Sequence, residues 1–107
     1  MEIKQYNIVI VNLDPTIGSE IQKTRPCVVL SPNEMNRYLK TVVVAPMTTT
    51  VKEYPTRVPV NYSGKKGMIA IDQIRTIDKS RIVKVTGSLS EKEITRSKEV
   101  LKETFVD

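Results

Sequence analysis

Arg25-Pro26-Cys27-Val28-Val29-Leu30-Ser31 joins a polar segment to an apolar run across a single proline. A proline holds the residue before it in extended backbone, so Arg25 leaves the preceding loop within a narrow range of angles. Pro26 lacks an N–H and suits the first position of a strand. Cys27 to Leu30 then reads as that strand. Upstream, Ile8-Val9-Ile10-Val11 is a β-branched run closed by Asn12 and Asp14-Pro15; downstream, Thr41-Val42-Val43-Val44-Ala45 is a third strand ending at Pro46. Continuous apolar runs of this kind belong to strands buried on both faces. Between the first two lies a polar loop from about Pro15 to Thr24, with Gly18 inside it. Arg25 is thus a cation at the junction of a loop and a rigid scaffold, a common place for catalytic and binding groups.

Outside this centre the strands are shorter. Pro32 to Arg37 can form a turn of helix, and Met47 to Thr56 is polar and turn-prone. Arg57-Val58-Pro59-Val60 alternates in character and contains a proline, which predicts an edge strand. Ser63-Gly64 marks a hairpin turn within Asn61 to Lys66. Gly67 to Ile71 and Arg81 to Leu89 supply further strands, connected through residues 72–78. The period then changes. Ser90 with Glu93 three residues on is a capping-box pattern. Ile94, Leu101 and Phe105 recur at helical spacing beside Val100, while Lys92, Arg96, Lys98 and Lys102 face elsewhere. The expectation is one mainly β domain over residues 1–107: an antiparallel, barrel-like sheet crossed by a C-terminal helix with its apolar side in the core.

Composition narrows the chemistry. Seventeen Lys and Arg against twelve Asp and Glu give a net charge of +5 and a pI near 9.4. That balance suits a polyanionic partner such as nucleic acid or an acidic protein, and composition alone leaves this about even with a merely basic surface. The absence of histidine excludes Ser–His and Cys–His dyads and histidine metal sites. With Cys27 the single cysteine, no internal disulfide can form and zinc is disfavoured. Cys27, set in an apolar run, reads as a small buried hydrophobe rather than a reactive thiol. No apolar run is long enough to span a membrane, and the N-terminal residues lack a signal-peptide layout, so a cytoplasmic protein is expected.

Three segments in order resemble one family: Asp14-Pro15-Thr16-Ile17-Gly18-Ser19-Glu20, the Arg25 to Ser31 strand, and Asp72-Gln73-Ile74-Arg75-Thr76-Ile77-Asp78. They are similar to the MazF/PemK toxins, ribosome-independent endoribonucleases of bacterial type II toxin–antitoxin systems. Val44-Ala45-Pro46-Met47-Thr48-Thr49 resembles the end of that family's third strand. The resemblance implies an SH3-like β-barrel with a C-terminal α-helix, the MazF/CcdB-like toxin fold, working as a homodimer without cofactor or metal. It implies cleavage of single-stranded mRNA at short sequences. It also implies a cognate antitoxin whose acidic, disordered tail blocks the toxin, the pair binding DNA together. By position, Arg25 and Thr48 match the catalytic arginine and threonine. Ser19 and Glu20 fall in the loop beside them, and Asp72 and Gln73 at a position linked to RNA contact or the active centre. The chain departs from the pattern too. Many members carry Gln then Gly between the Glu and the Arg, where this chain has Ile21-Gln22-Lys23-Thr24. Some relatives have histidine at the place of Ser19 and arginine at the place of Ala70, so acid–base schemes built on those residues do not transfer.

Metal-free RNA cleavage proceeds by attack of the 2′-hydroxyl on the adjacent phosphate, giving a 2′,3′-cyclic phosphate and a 5′-hydroxyl end. The nucleophile must be aligned, charge on the phosphorane stabilised and protons moved. A guanidinium matches phosphate oxygens as a planar fork but holds its proton, so Arg25 suits stabilisation of charge. Its competing role is a structural ion pair with Glu20 or Asp14. Thr48 can donate to the phosphate or orient the 2′-hydroxyl, or simply cap a strand end. The base stays open between Glu20, Asp72 and late, water-assisted transfer, with Ser19 as a supporting candidate. Lys23, Lys52, Arg57 and Arg75, with Thr49 and Gln73, form the expected RNA track, and Tyr54 is the aromatic best placed to stack a base. Two other readings are a CcdB-like non-enzymatic toxin that binds DNA gyrase and a small barrel that only binds RNA.

Overall fold

The computed structural model describes residues 2–13 and 24–106. In chain order these form β1 (Asn7–Asn12), β2 (Thr24–Val29), α1 (Asn33–Tyr38), β3 (Thr41–Thr48), β4 (Arg57–Tyr62), β5 (Lys65–Ala70), β6 (Arg75–Asp78), β7 (Ile82–Ser88) and α2 (Glu91–Phe105). One-turn 3-10 helices at Ile71–Gln73 and Lys79–Arg81 flank β6. Every ladder is antiparallel, and the sheet runs β4-β5-β3-β2-β1-β7 with β6 also on β3. The sheet curls into a partly open barrel, as expected, with α2 against β4 and the first 3-10 turn.

The β-branched runs are buried on both faces, which is why they lack polar alternation. Ile8, Val28, Ala45 and Met47 look into one core with Ile69, Ile71 and Val100. Val9, Val11, Cys27, Val29, Val42 and Val44 look into a second with Ile77 and Ile82. Cys27 is fully buried, and burial pushes its thiol up to about 11, so it packs as an inert hydrophobe.

Three strand expectations need correction. β2 begins at Thr24, so Pro26 lies inside it opposite Ile10 rather than at its first position. β3 does not stop at Pro46 but continues to Thr48. Val43 exchanges backbone and side-chain hydrogen bonds with Leu30 and Ser31, so its peptide groups face β2. Alternation turns those of Pro46 to the opposite edge, between the partners β6 and β5, where no N–H is needed. The connection through residues 72–78 contains a strand, β6, with Ile77 its single buried residue. Pairing to the first half of β3, rather than an apolar run, makes it a strand.

The hairpin and helix follow local rules. Ser63 and Gly64 both have positive φ, 50° and 76°, the backbone of a tight two-residue hairpin turn. Gly64 takes this backbone freely, whereas Ser63 carries the cost that any L-residue meets at positive φ. Ser90 and Glu93 form the complete capping box of α2, and Glu93 also accepts a hydrogen bond from Asn61 N–H on the edge strand β4. A cap of this kind contributes about 1 kcal/mol. Val100 and Ser97 are buried and Ile94 and Leu101 are packed on the core, but Phe105 is 55% exposed. Its expected core position is therefore wrong: α2 lies against β4 and the 3-10 turn, and the last turn of the helix leaves Phe105 facing outward. Ser31 is structural, its hydroxyl bonded to Asn36 of α1 at 2.5 Å and to Val43 N–H of β3.

Candidate active site

β2 and β3 carry Arg25 and Thr48 to the same place. The ladder Val29–Val44, Val28–Ala45, Cys27–Pro46 ends there, and two further residues on each strand would bring Arg25 opposite Thr48. β3 instead passes to β5, pairing Met47 with Ile69 and Thr48 with Met68. The divergence opens a groove of about 420 Å³ lined by Arg25, Pro26, Thr48, Thr49, Thr50, Tyr62, Ser63, Lys65, Lys66 and Gly67, with Met47 at its base. Three of these residues are cations and none is a carboxylate. Neither the Arg25 guanidinium nor the Lys65 and Lys66 ammonium groups has a hydrogen bond or ion pair among the described residues. Cations with no counter-charge among the described residues concentrate positive potential in a concave site, where an anion would sit.

The Thr48 hydroxyl is fixed through its oxygen. Its Oγ1 accepts the Thr50 N–H at 3.1 Å, which sets the hydroxyl oxygen and leaves the O–H proton to point elsewhere. Gly67 sets the height of this residue: a Cβ at Gly67 would lie 2.8 Å from the Thr48 carbonyl oxygen. β3 and β5 approach this closely only because position 67 has no side chain.

Arg25 also lines a second, smaller depression of about 230 Å³ with Gln73, Arg75, Pro46 and Leu13. Arg25 therefore lines both hollows. Asp72, next to Gln73, is committed elsewhere. Its carboxylate takes Arg57 Nε at 2.9 Å, a longer contact from the second guanidinium nitrogen at 3.4 Å, and Thr56 Oγ1 at 3.0 Å. Arg57 and Thr56 hold its pKa below the ordinary aspartate range. A carboxylate so stabilised in its charged form is a weak proton acceptor. Because the folded value lies below the unfolded one, the pair stabilises the protein above the usual carboxylate range and stops doing so as pH falls through the lowered pKa. Asp72→Asn should lower the urea midpoint at neutral pH, and the gap to the native protein should close in strong acid. A gap independent of pH would assign the loss to packing instead.

The described residues contain no helix long and apolar enough to cross a membrane. Comparison with known proteins matches residues 4–105 to the family described as PemK-like, MazF-like toxin of type II toxin-antitoxin system. The chain belongs to this family. It is 32% identical over 98 residues to an Endoribonuclease MazF of Staphylococcus saprophyticus, covering 86% of this chain and 82% of that one. Among solved structures it resembles Mycobacterium tuberculosis toxin MazF-mt6 with 28% identity and a TM-score of 0.78, over 92% of this chain and 95% of the other. It shares the fold of a mycobacterial endoribonuclease solved with its cognate antitoxin, at 22% identity and a TM-score of 0.79, over 94% and 92% of the two chains.

For this MazF-like toxin the site residues read from sequence divide into groups. Arg25, Thr48 and Thr49 share the main groove, and Gln73 and Arg75 share the second hollow with Arg25. Arg57 and Lys52 gather on Tyr54, with Arg57 held by Asp72, and none of the three lines either hollow. The Tyr54 ring carries Arg57 at 5.4 Å and Lys52 at 5.8 Å from its centroid, so it is already engaged by cations. Arg57, expected on the RNA track, is 11% exposed at its side chain and neutralised by Asp72. Ser19, Glu20 and Lys23, with the Asp14 and Glu20 partners considered for Arg25, lie outside the described residues. Sequence reasoning preferred Tyr54 to Tyr62 as the aromatic and did not find Lys65, Lys66 or Gly67. The signal was the compact Ser63-Gly64 turn followed by two lysines, but it acquires meaning only when β5 is known to pair with the end of β3.

Proposed function

We propose that this chain is the toxin of a type II toxin–antitoxin pair and cuts single-stranded RNA through attack of a 2′-hydroxyl on the neighbouring phosphate, without metal. The observation that carries this reading is the groove that Arg25, unpaired among the described residues, shares with the oriented Thr48 hydroxyl. A phosphate seated there accepts the Arg25 fork on its non-bridging oxygens, and the charge that builds on the phosphorane is stabilised by fixed donors. Thr48 donates its free O–H to the same phosphate. The 2′-hydroxyl proton passes to water or to Glu20, and the departing 5′-oxygen takes a proton from solvent. Asp72 serves as the anchor of Arg57 rather than as the base.

The relatives' names support RNA as substrate, and the matched family speaks for RNA cleavage over CcdB-like binding of DNA gyrase. The +5 charge suits both RNA and an antitoxin with an acidic tail, and the antitoxin bound in the mycobacterial structure supports that partner. A cytoplasmic homodimer is the assembly this reading carries. Purified protein incubated with single-stranded RNA and a chelator should release fragments ending in 2′,3′-cyclic phosphate and beginning with 5′-hydroxyl. Intact RNA, or fragments with 5′-phosphate ends, would overturn it.

A further inference from the structure

The groove extends well past the two residues that perform the chemistry, and its far wall is the β4–β5 hairpin. Arg25 lines both the groove holding Lys65 and Lys66 and the hollow holding Gln73 and Arg75. An RNA strand laid with its scissile phosphate on Arg25 must send one flank toward the hairpin and the other toward Gln73. We propose that Lys65 and Lys66 are the phosphate clamp for one flank only, with Tyr62 as the fixed aromatic surface beside it. This assignment rests on the ribonuclease reading and deepens it by naming which part of the substrate the hairpin holds.

Three observations support it. First, both lysines are exposed and free of ion pairs among the described residues, whereas Arg57, Arg96 and Lys4 are each matched to a carboxylate. Second, the turn that presents them is rigid: Ser63 and Gly64 hold a two-residue hairpin and the flanking strands are paired from Arg57–Ala70 to Tyr62–Lys65. Lysines on such a hairpin lose less freedom on binding than lysines in an irregular loop. Third, the Tyr62 hydroxyl donates to Thr86 Oγ1 at 3.2 Å, which in turn donates to the Ile8 carbonyl at 3.2 Å, so the ring is fastened to β7 and β1. A ring held in this way offers π surface to a base without first being ordered. Lys66 and Gly67 also border a further hollow of about 450 Å³ beside the start of α2, which the carboxylates Glu53 and Glu93 line as well.

The test uses the full chain and a synthetic RNA spanning a mapped cut. Binding is read with a 2′-deoxy nucleotide at the cut, so that the strand stays whole. Lys65→Ala combined with Lys66→Ala should weaken binding roughly tenfold and flatten the slope of log affinity against log salt by about 1.4, which is about 0.7 for each single-strand phosphate that is no longer neutralised. On cleavable RNA the double variant should raise KM and leave kcat near native, the mark of interactions equal in ground and transition states. The defect should disappear when the RNA is shortened on one side of the cut and persist when it is shortened on the other. Lys98→Ala with Lys102→Ala, the same charge change on the exposed side of α2, should alter none of these. If the native protein cuts RNA while the hairpin variant keeps native KM and salt slope, or its defect survives trimming on both sides, the clamp is refuted and the ribonuclease reading stands. If the native protein leaves RNA whole, both fall together.

Discussion

Arg25→Ala should cut RNA about 10²–10³-fold more slowly than the native protein, the loss typical of one well-placed donor to transition-state charge. The guanidinium is exposed and unpaired among the described residues, so its removal leaves no buried partner unsatisfied and folding should be nearly unchanged. Thermal unfolding of the variant should therefore track the native curve while single-turnover cleavage falls. Arg25→Lys restores the charge but not the planar fork, and should recover only part of the rate. Recovery to the native rate would make the site a simple cation requirement. A fully active Arg25→Ala would remove the residue from the chemistry altogether.

Gly67→Ala should impair both stability and rate through a contact that leaves no side chain free to yield. The new Cβ would sit 2.8 Å from the Thr48 carbonyl oxygen and 3.7 Å from its carbon, both backbone atoms of a paired strand. Relief requires the end of β3 to move from β5, at a cost of about 1–3 kcal/mol for overpacking. Thr48 moves with that backbone, and a displacement near 1 Å at a reacting group can cost roughly 10²-fold in rate. The matched control is Gly87→Ala, where nothing lies within 4 Å of the added carbon and neither quantity should change appreciably. Urea unfolding and single-turnover cleavage of the two variants separate the effects. A Gly67→Ala protein with native stability and rate would show that this close approach does not position Thr48.

Much of the architecture could be read before any coordinates. Ile8–Val11, Cys27–Leu30 and Thr41–Val44 are legible as strands because burial on both faces removes polar residues from them, and the two cores account for that pattern. Ser63-Gly64 and the Ser90–Glu93 box are legible because the turn and the cap depend on neighbours in the chain. β6 was not legible, since Arg75–Asp78 has one buried residue and becomes a strand through its partner. The same cause hid the continuation of β3 through Pro46, whose tolerance depends on which edge of the strand its nitrogen faces.

The sequence by itself determined the available chemistry: no histidine, one cysteine packed away, an excess of cations, and an arginine locked by proline at a strand entrance. Tertiary structure decided which of those cations are free to act. Arg57 is cancelled by Asp72, fifteen positions away along the chain, while Lys65 and Lys66 remain open in the groove of Arg25. Neutralisation is a matter of a few ångströms between side chains, and cross-strand register sets those distances where composition and spacing do not.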